Sequence, residues 1–173
     1  MNYFELFDIP VSLWVDKKNL REIYLNLQKK YHPDFFSNET DQEQAEVLEI
    51  SSMVNKAYNT FQSDDETIKY VLQLKELLEE EEKYELPPEF LIEMMELNEA
   101  LMEIDDSSLE ETETKISQLE KQLYDRVQNI IEYYDEDRTT NEQLLQVKDY
   151  YYKKKYLRRI LERLDGMRNI APS

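Results

Sequence analysis

Only one glycine, Gly166, occurs among the 173 residues of this chain, alongside five prolines. Tight hairpin turns rely on residues that accept positive φ, so a chain this poor in glycine has little material for a β-sheet protein. Apolar residues recur instead with a period of about 3.6 residues. The sequence therefore predicts an all-α fold, with Gly166 as the left-handed C-cap of the last helix.

Several helix starts are marked by a Ser or Thr that Glu follows three residues later, a pair that can cap the helix reciprocally. These pairs are Thr40/Glu43, Ser63/Glu66, Ser107/Glu110 and Thr139/Glu142. Asp16 can cap an earlier helix that ends near Tyr31, and Pro88 can open a later one. The other predicted helices span 40–62, 63–78, 88–105, 108–137 and 140–165, with core positions that include Ile104, Ile130 and Leu161.

An acidic run over 79–85, followed by Pro87 and Pro88, is the best candidate for a domain boundary. We expect an N-terminal domain over 1–76, an acidic linker over 77–87 and a C-terminal domain over 88–173. Because the C-terminal domain holds three amphipathic helices with short connections, it is predicted to be an antiparallel three-helix bundle.

The residue types present exclude many kinds of reactive site. The chain has no cysteine and a single histidine, which excludes disulfides, thiolate metal sites and His-rich zinc or iron sites. We expect no metal, no cofactor and no enzymatic activity, since no His/Cys/Ser constellation or glycine-rich phosphate loop is present. No run of 18 apolar residues occurs and residues 1–5 lack the pattern of a signal peptide, so a soluble, cytoplasmic protein is predicted.

The charge is distributed unevenly. Residues 79–142 hold 5 Lys and Arg against 22 Asp and Glu, whereas residues 143–173 hold 8 against 3. A segment this acidic repels nucleic acid and anionic membranes, so we expect neither as a partner. The basic and aromatic run over 150–155 could suggest nucleic-acid binding, but helical spacing spreads its tyrosines around the axis. Core packing and a solvated surface explain that run better.

The histidine lies in the stretch Tyr31-His32-Pro33-Asp34, between two helical segments. Proline has no N–H and moves the preceding residue out of the helical region, so this stretch cannot lie in the middle of a helix. We therefore expect His32, Pro33 and Asp34 at an exposed bend between two helices, facing solvent or a partner.

The helix over 88–105 has more apolar residues than one core stripe needs. On a helical wheel Leu91, Ile92, Met95 and Met102 fall outside that stripe, among Glu96, Glu99 and Glu103. Leu91, Met95 and Met102 could pack on a neighbouring helix, but an apolar surface rimmed by acids is also typical of a partner site. A mixed apolar and acidic binding face is therefore one of two interpretations.

The first 76 or so residues resemble a J-domain. They begin with a short helical segment, Tyr3-Phe4-Glu5-Leu6-Phe7, and continue through His32-Pro33-Asp34 to Val54-Asn55-Lys56-Ala57-Tyr58. With the closing Tyr70-Val71-Leu72, the acidic C-terminal bundle and the segment starting Phe90-Leu91-Ile92-Glu93, the whole chain is similar to the HscB family, J-type co-chaperones of iron–sulfur cluster assembly. The resemblance implies an L-shaped protein of two domains.

The resemblance also implies partners and site residues. It implies stimulation of a DnaK- or HscA-type ATPase through His32, Pro33 and Asp34, with Arg21, Lys29 and Lys30 on the preceding helix. Leu25 and Asn26 occupy positions that are often basic in J-domains, so docking to the ATPase is expected to be weaker or more selective. An IscU-type iron–sulfur scaffold protein is implied to bind through Leu91, Ile92, Met95, Glu96, Glu99, Glu103 and Tyr156. Two alternatives stay open at this point, namely a J-domain co-chaperone with different cargo and a helical interaction protein with no chaperone activity.

Overall fold

The computed structural model describes residues 1–103 and 105–170. Within these residues the regular secondary structure is entirely helical, which confirms the predicted all-α fold. One short 3-10 helix, Pro33–Phe36, separates the second and third of the α-helices. The α-helices are α1 (Tyr3–Phe7), α2 (Lys17–Lys30), α3 (Asp41–Gln62), α4 (Asp64–Leu74), α5 (Pro88–Met102), α6 (Asp106–Glu132) and α7 (Asn141–Ile170). In the described part of the chain, none of the helices has the length and apolar character needed to cross a membrane.

The first of two structural units comprises residues 1–75 and 134–138. Helices α2 and α3 form its antiparallel hairpin, in which the rings of Tyr24 and Tyr58 stack with their centroids 3.8 Å apart. Lys17 Nζ lies 2.7 Å from Asp64 Oδ1 at the end of the hairpin remote from the 3-10 helix. The hairpin thus holds that 3-10 helix, which contains the histidine motif, at its closed end.

An aromatic cluster centred on Phe61 forms the core of this unit. Phe61 has no exposed surface. Its ring lies 4.8 Å from that of Phe4 and 5.5 Å from that of Phe7, both on α1. Tyr70 on α4 stacks on Tyr3 with the centroids 4.5 Å apart. Aromatic side chains bury large apolar areas, so this cluster fixes α1 and α4 against the end of α3.

The second unit comprises residues 76–133 and 139–173, apart from residues 104 and 171–173, which lie outside the described residues. Helices α5, α6 and α7 each contact the other two, which confirms the predicted three-helix bundle. Its buried core includes Phe90, Met94, Leu97, Leu101, Ile116, Leu123, Val127, Leu144, Val147, Leu157 and Leu164.

Two expected core positions are displaced by one residue, and a third lies outside the described residues. Ile131 is buried instead of Ile130, and Ile160 instead of Leu161. Each is one member of an adjacent apolar pair, whose side chains point about 100° apart around the helix. The periodicity does not distinguish the two members, so packing against the neighbouring helix selects one. Ile104 is the residue that lies outside the described part.

Several predicted helix ends are wrong. Gly166 does not end α7, which continues to Ile170, and its φ is not positive. Nothing lies within 4 Å of the position that a Cβ would take there, so the structure does not require glycine at that point. Helix α6 begins earlier than predicted because Asp105 accepts hydrogen bonds from the N–H groups of Ser107 and Ser108. Helix α7 is capped by Thr140 with Gln143, one residue after the predicted pair.

The acidic segment before α5 is packed on α7. Glu82 Oε1 accepts a hydrogen bond of 2.8 Å from the largely buried Lys148, and its Oε2 accepts one of 3.1 Å from the Tyr152 hydroxyl. The Tyr84 hydroxyl donates to Asp149 Oδ1 at 2.9 Å, and the rings of Tyr84 and Tyr152 stack 4.5 Å apart. These contacts hold Glu82 and Tyr84 against α7, although the charge pattern alone predicts a linker over 77–87.

This attachment predicts a loss of stability at alkaline pH. Burial, and then the hydrogen bond to Glu82, raises the pKa of Tyr152 from 10.0 to about 12. Burial and Asp149 likewise raise the pKa of Tyr84. Because the folded state holds both protons more tightly than the unfolded chain, the stabilisation is complete below pH 10 and is lost as the pH rises towards 12.

The expected result is a melting temperature that falls more steeply above pH 10 in the unaltered protein than in the double variant Tyr84→Phe, Tyr152→Phe. Circular dichroism at a series of pH values measures this difference. Tyr133→Phe is the control, since the Tyr133 side chain is largely exposed. If the melting temperature falls equally steeply with pH in the double variant and in the unaltered protein, Tyr84 and Tyr152 are not the cause of the alkaline loss of stability.

Candidate functional site

The histidine motif forms the first turn of the 3-10 helix. His32 is its N-cap, and Pro33 occupies the first helical position, where a missing N–H leaves no hydrogen bond unmade. The Asp34 N–H donates to His32 Nδ1 at 3.3 Å. The side chains of His32 and Asp34 are 53% and 88% exposed, as the sequence predicts for a bend between two helices. An imidazole fixed by its own loop and an exposed carboxylate, whose Oδ2 lies 3.7 Å from His32 Nδ1, are therefore presented to solvent.

The basic residues implied on α2 do not all share one face. Arg21, Leu25 and Lys29 are exposed and follow one another at intervals of four residues, which places them along one side of the helix. Lys30 is also exposed, but it lies about 180° around the axis from Arg21. The structure thus brings Arg21 and Lys29 to one side of α2 and leaves Lys30 on another.

A shallow cleft of about 600 Å³ joins the motif to both helices of the hairpin. Its lining contains residues that the sequence did not single out, because they are distant along the chain and meet only through the hairpin register. The sequence marks Leu25 only as a position that is often basic, although its spacing with Arg21 and Lys29 places it on the same side of α2, and no local signal places Ser51 and Asn55 of α3 beside the motif. The lining residues are Leu25, Gln28, Lys29, His32, Pro33, Asp34, Phe35, Ser51 and Asn55.

The second candidate surface lies on α5. Leu91, Ile92, Met95 and Met102 are 39%, 57%, 60% and 83% exposed, so full burial of Leu91, Met95 and Met102 against a neighbouring helix is the wrong interpretation. Glu96, Glu99 and Glu103 are exposed as well. The core stripe of α5 is formed by other residues, namely Phe90, Met94, Leu97 and Leu101. The exposed apolar residues and the three acids together are called the α5 face, which comprises Leu91, Ile92, Met95, Met102, Glu96, Glu99 and Glu103.

Tyr156 adjoins one end of the α5 face. It is half-buried on α7, and its ring meets that of Phe90 edge-on with the centroids 6.2 Å apart. Tyr156 and Leu91 line the same open groove, so the structure connects Tyr156 to the apolar residues of α5. The geometry suits docking of a protein partner, since methionine and an amphipathic tyrosine adapt to a contoured surface.

Metal-ligating side chains do not converge at either surface. Across residues 1–103 and 105–170, no group of three or more His, Cys, Asp or Glu is placed to hold a metal ion. The side chains at the two surfaces can make apolar contacts, hydrogen bonds and charge pairs.

Known proteins are similar to this chain in sequence and in architecture. A family model described as the HSCB C-terminal oligomerisation domain matches residues 86–165. A co-chaperone protein HscB homolog of Psychromonas ingrahamii is 33% identical over 124 residues, which cover 71% of this chain and 73% of that protein. The iron–sulfur cluster co-chaperone protein HscB of Homo sapiens is 35% identical over 133 residues, which cover 76% of this chain and 57% of that protein.

Among solved structures, the crystal structure of human co-chaperone protein HscB is similar over nearly the whole chain. The TM-score is 0.79 at 30% sequence identity, and the match covers 97% of this chain and 82% of the crystallised one. Both structural units are therefore included in the similarity.

Proposed function

This chain belongs to the HscB family, and we propose that it is a co-chaperone of iron–sulfur cluster assembly that stimulates the ATPase of a DnaK- or HscA-type chaperone and delivers an IscU-type scaffold protein to it. The observation that carries the proposal is the exposed His32-Pro33-Asp34 turn at the closed end of the α2–α3 hairpin. The α5 face, in the other unit, supports the second half of the proposal.

The first surface acts through binding alone. The exposed Asp34 carboxylate can accept charge-assisted hydrogen bonds from a basic group on the ATPase. Pro33 restricts the turn before binding occurs, so less conformational entropy is lost when the complex forms. The chain then favours one conformational state of the chaperone by binding that state more tightly. ATP hydrolysis itself takes place in the chaperone.

The α5 face is the proposed binding site for the scaffold protein. An apolar patch rimmed by Glu96, Glu99 and Glu103 fits a partner that presents an apolar patch beside cations. The two surfaces belong to different structural units and share no residue, so each partner has its own site. Linking both sites in one chain raises the effective concentration of the scaffold at the chaperone.

Steady-state ATP hydrolysis by a DnaK-type chaperone tests the proposal. We expect the unaltered chain to stimulate hydrolysis and His32→Gln to abolish that stimulation, because the variant changes the exposed turn without touching the core. Glu46→Gln is the matched control, since Glu46 is exposed on the opposite side of α3 from the cleft residues Ser51 and Asn55. If His32→Gln stimulates hydrolysis as well as Glu46→Gln does, the assignment of this turn is wrong.

A further inference from the structure

Lys155 and Arg159 on α7 differ from neighbouring basic residues of the helix in their side-chain partners. Four basic residues of this helix have polar partners, namely Lys148 with Glu82, Lys153 with Asp149, Arg158 with Glu120 and Arg163 with Asn98. Lys155 and Arg159 are exposed, and neither has a carboxylate partner among the residues that the structure describes. Lys155 Nζ lies over the Tyr151 ring, 5.9 Å from its centroid. These two residues therefore form a cationic pair with unused hydrogen-bonding capacity.

The cationic pair lines the groove that contains Tyr156 and Leu91. Lys155 and Arg159 are four residues apart, so they lie one helical turn apart on the same side of α7. The groove has a volume of about 650 Å³, and its opposite wall is formed by residues 82–86. On that wall Glu82 is already bonded to Lys148 and Tyr152, while the other charges, Lys83 and Glu85, are of opposite sign. The groove consequently has an excess of positive charge.

Helices α5 and α7 run parallel, which fixes where this charge lies relative to the α5 face. Phe90 meets Tyr156, and Asn98 accepts a hydrogen bond from Arg163 further along both helices. The cationic pair therefore adjoins Leu91, at the start of α5. Glu99 and Glu103 lie about 12 and 18 Å further along the axis, given a rise of about 1.5 Å per residue. The surface thus has a cationic end beside Leu91 and an acidic end at Glu99 and Glu103, with exposed apolar side chains along its length.

We propose that the cationic pair binds a carboxylate-bearing segment of the docked scaffold protein, while cations of the same partner meet the acidic end of the α5 face. This inference rests on the proposed function, and it adds the chemistry and orientation of the partner. Arginine suits the carboxylate because its guanidinium can donate two parallel hydrogen bonds. Opposite charges at the two ends of one surface favour a single docking orientation, since the reversed one places like charges together. A polyanion such as nucleic acid would meet Glu96, Glu99 and Glu103 on the same surface, which disfavours it.

The test uses the full chain and an IscU-type scaffold protein, with affinity measured by isothermal titration calorimetry. The variant Lys155→Glu, Arg159→Glu is compared with Lys115→Glu, Lys121→Glu, which changes the net charge equally at two exposed positions of α6. We expect the α7 variant to lose at least about tenfold in affinity at about 0.1 M salt, and the α6 variant to lose less than about twofold. At about 1 M salt, where the Debye length is about 3 Å, the difference between the two variants should shrink.

The outcomes separate this inference from the function on which it rests. A scaffold protein that does not bind the unaltered chain would overturn the proposed function and the inference together. Binding by the unaltered chain that both charge-reversed variants weaken equally, or that neither weakens, would overturn the inference alone. Retention of duplex DNA by the unaltered chain, abolished only by the α7 variant, would show that the groove binds polyanions and would also overturn it.

Discussion

Replacement of Phe61 by alanine is expected to lower the free energy of unfolding of the first unit by about 3–5 kcal/mol. The Phe61 ring has no exposed surface, and it contacts the rings of Phe4 and Phe7 on α1. Its removal leaves a cavity at the point where α1 and α3 meet, and rigid aromatic neighbours can fill that cavity only in part. Small domains have a total stability of only about 5–15 kcal/mol, so this loss is a large share of it.

Denaturant unfolding followed by circular dichroism measures the change, and Leu48→Ala provides the matched control. Leu48 is on the same helix but exposed, so its replacement is expected to cost no more than about 0.5 kcal/mol. Phe61→Ala should also lose ATPase stimulation more steeply with temperature than Leu48→Ala, because the hairpin that carries His32 loses its support. Equal denaturation midpoints for the two variants would show that the cluster does not stabilise the unit as described.

The elements that the sequence predicts well are those whose causes are local. Proline at position 33 excludes a continuous helix and Asp16 can cap α2, and the structure has the bend and the cap where these residues require them. The pair Thr40 and Glu43 forms the expected reciprocal cap of α3, with both hydrogen bonds present. In each case the residues that determine the conformation lie within one turn of it, so neighbouring sequence suffices.

Helix ends were predicted less well because several residues can compete for the same cap. Asp105, Ser107 and Ser108 can all cap a helix, and the Asp105 carboxylate accepts from the N–H groups of both serines. Hydrogen bonds from Ser107 and Ser108 also lower the pKa of Asp105, which fits a carboxylate that stabilises the start of α6. The choice among adjacent candidates depends on where the first apolar residues of the helix meet the bundle.

Long-range contacts are the part of both surfaces that the sequence could not predict. Ser51 and Asn55 join the cleft beside His32 only through the register of the α2–α3 hairpin. The acidic segment packs on α7 because Lys148 and Tyr152 donate hydrogen bonds to Glu82 and Asp149 accepts one from Tyr84, and these α7 residues lie more than 60 positions away from their partners along the chain. A run of like charge is therefore not evidence of a free linker when a distant helix can neutralise it.

The exposure of the α5 face predicts a selective loss of scaffold binding in the double variant Leu91→Ala, Met95→Ala. Apolar side chains at the centre of an interface often contribute about 1–2 kcal/mol each, so we expect affinity for an IscU-type scaffold protein to fall at least about 30-fold. Both side chains are substantially exposed, so the helical content and the melting temperature should remain close to those of the unaltered chain. Calorimetric titration and circular dichroism on the same samples measure the two effects.

Met94→Ala is the matched control, because Met94 lies on the same helix with no exposed surface. Its truncation should reduce stability by about 2–5 kcal/mol. The unfolding transition should therefore move to a much lower temperature for Met94→Ala and shift little for the double variant. At temperatures well below both transitions, the affinity for the scaffold protein should fall most for the double variant. A double variant that loses its helical signal would show that Leu91 and Met95 support the bundle. One that keeps both its helical signal and its affinity would show that the partner docks on a different surface of the chain.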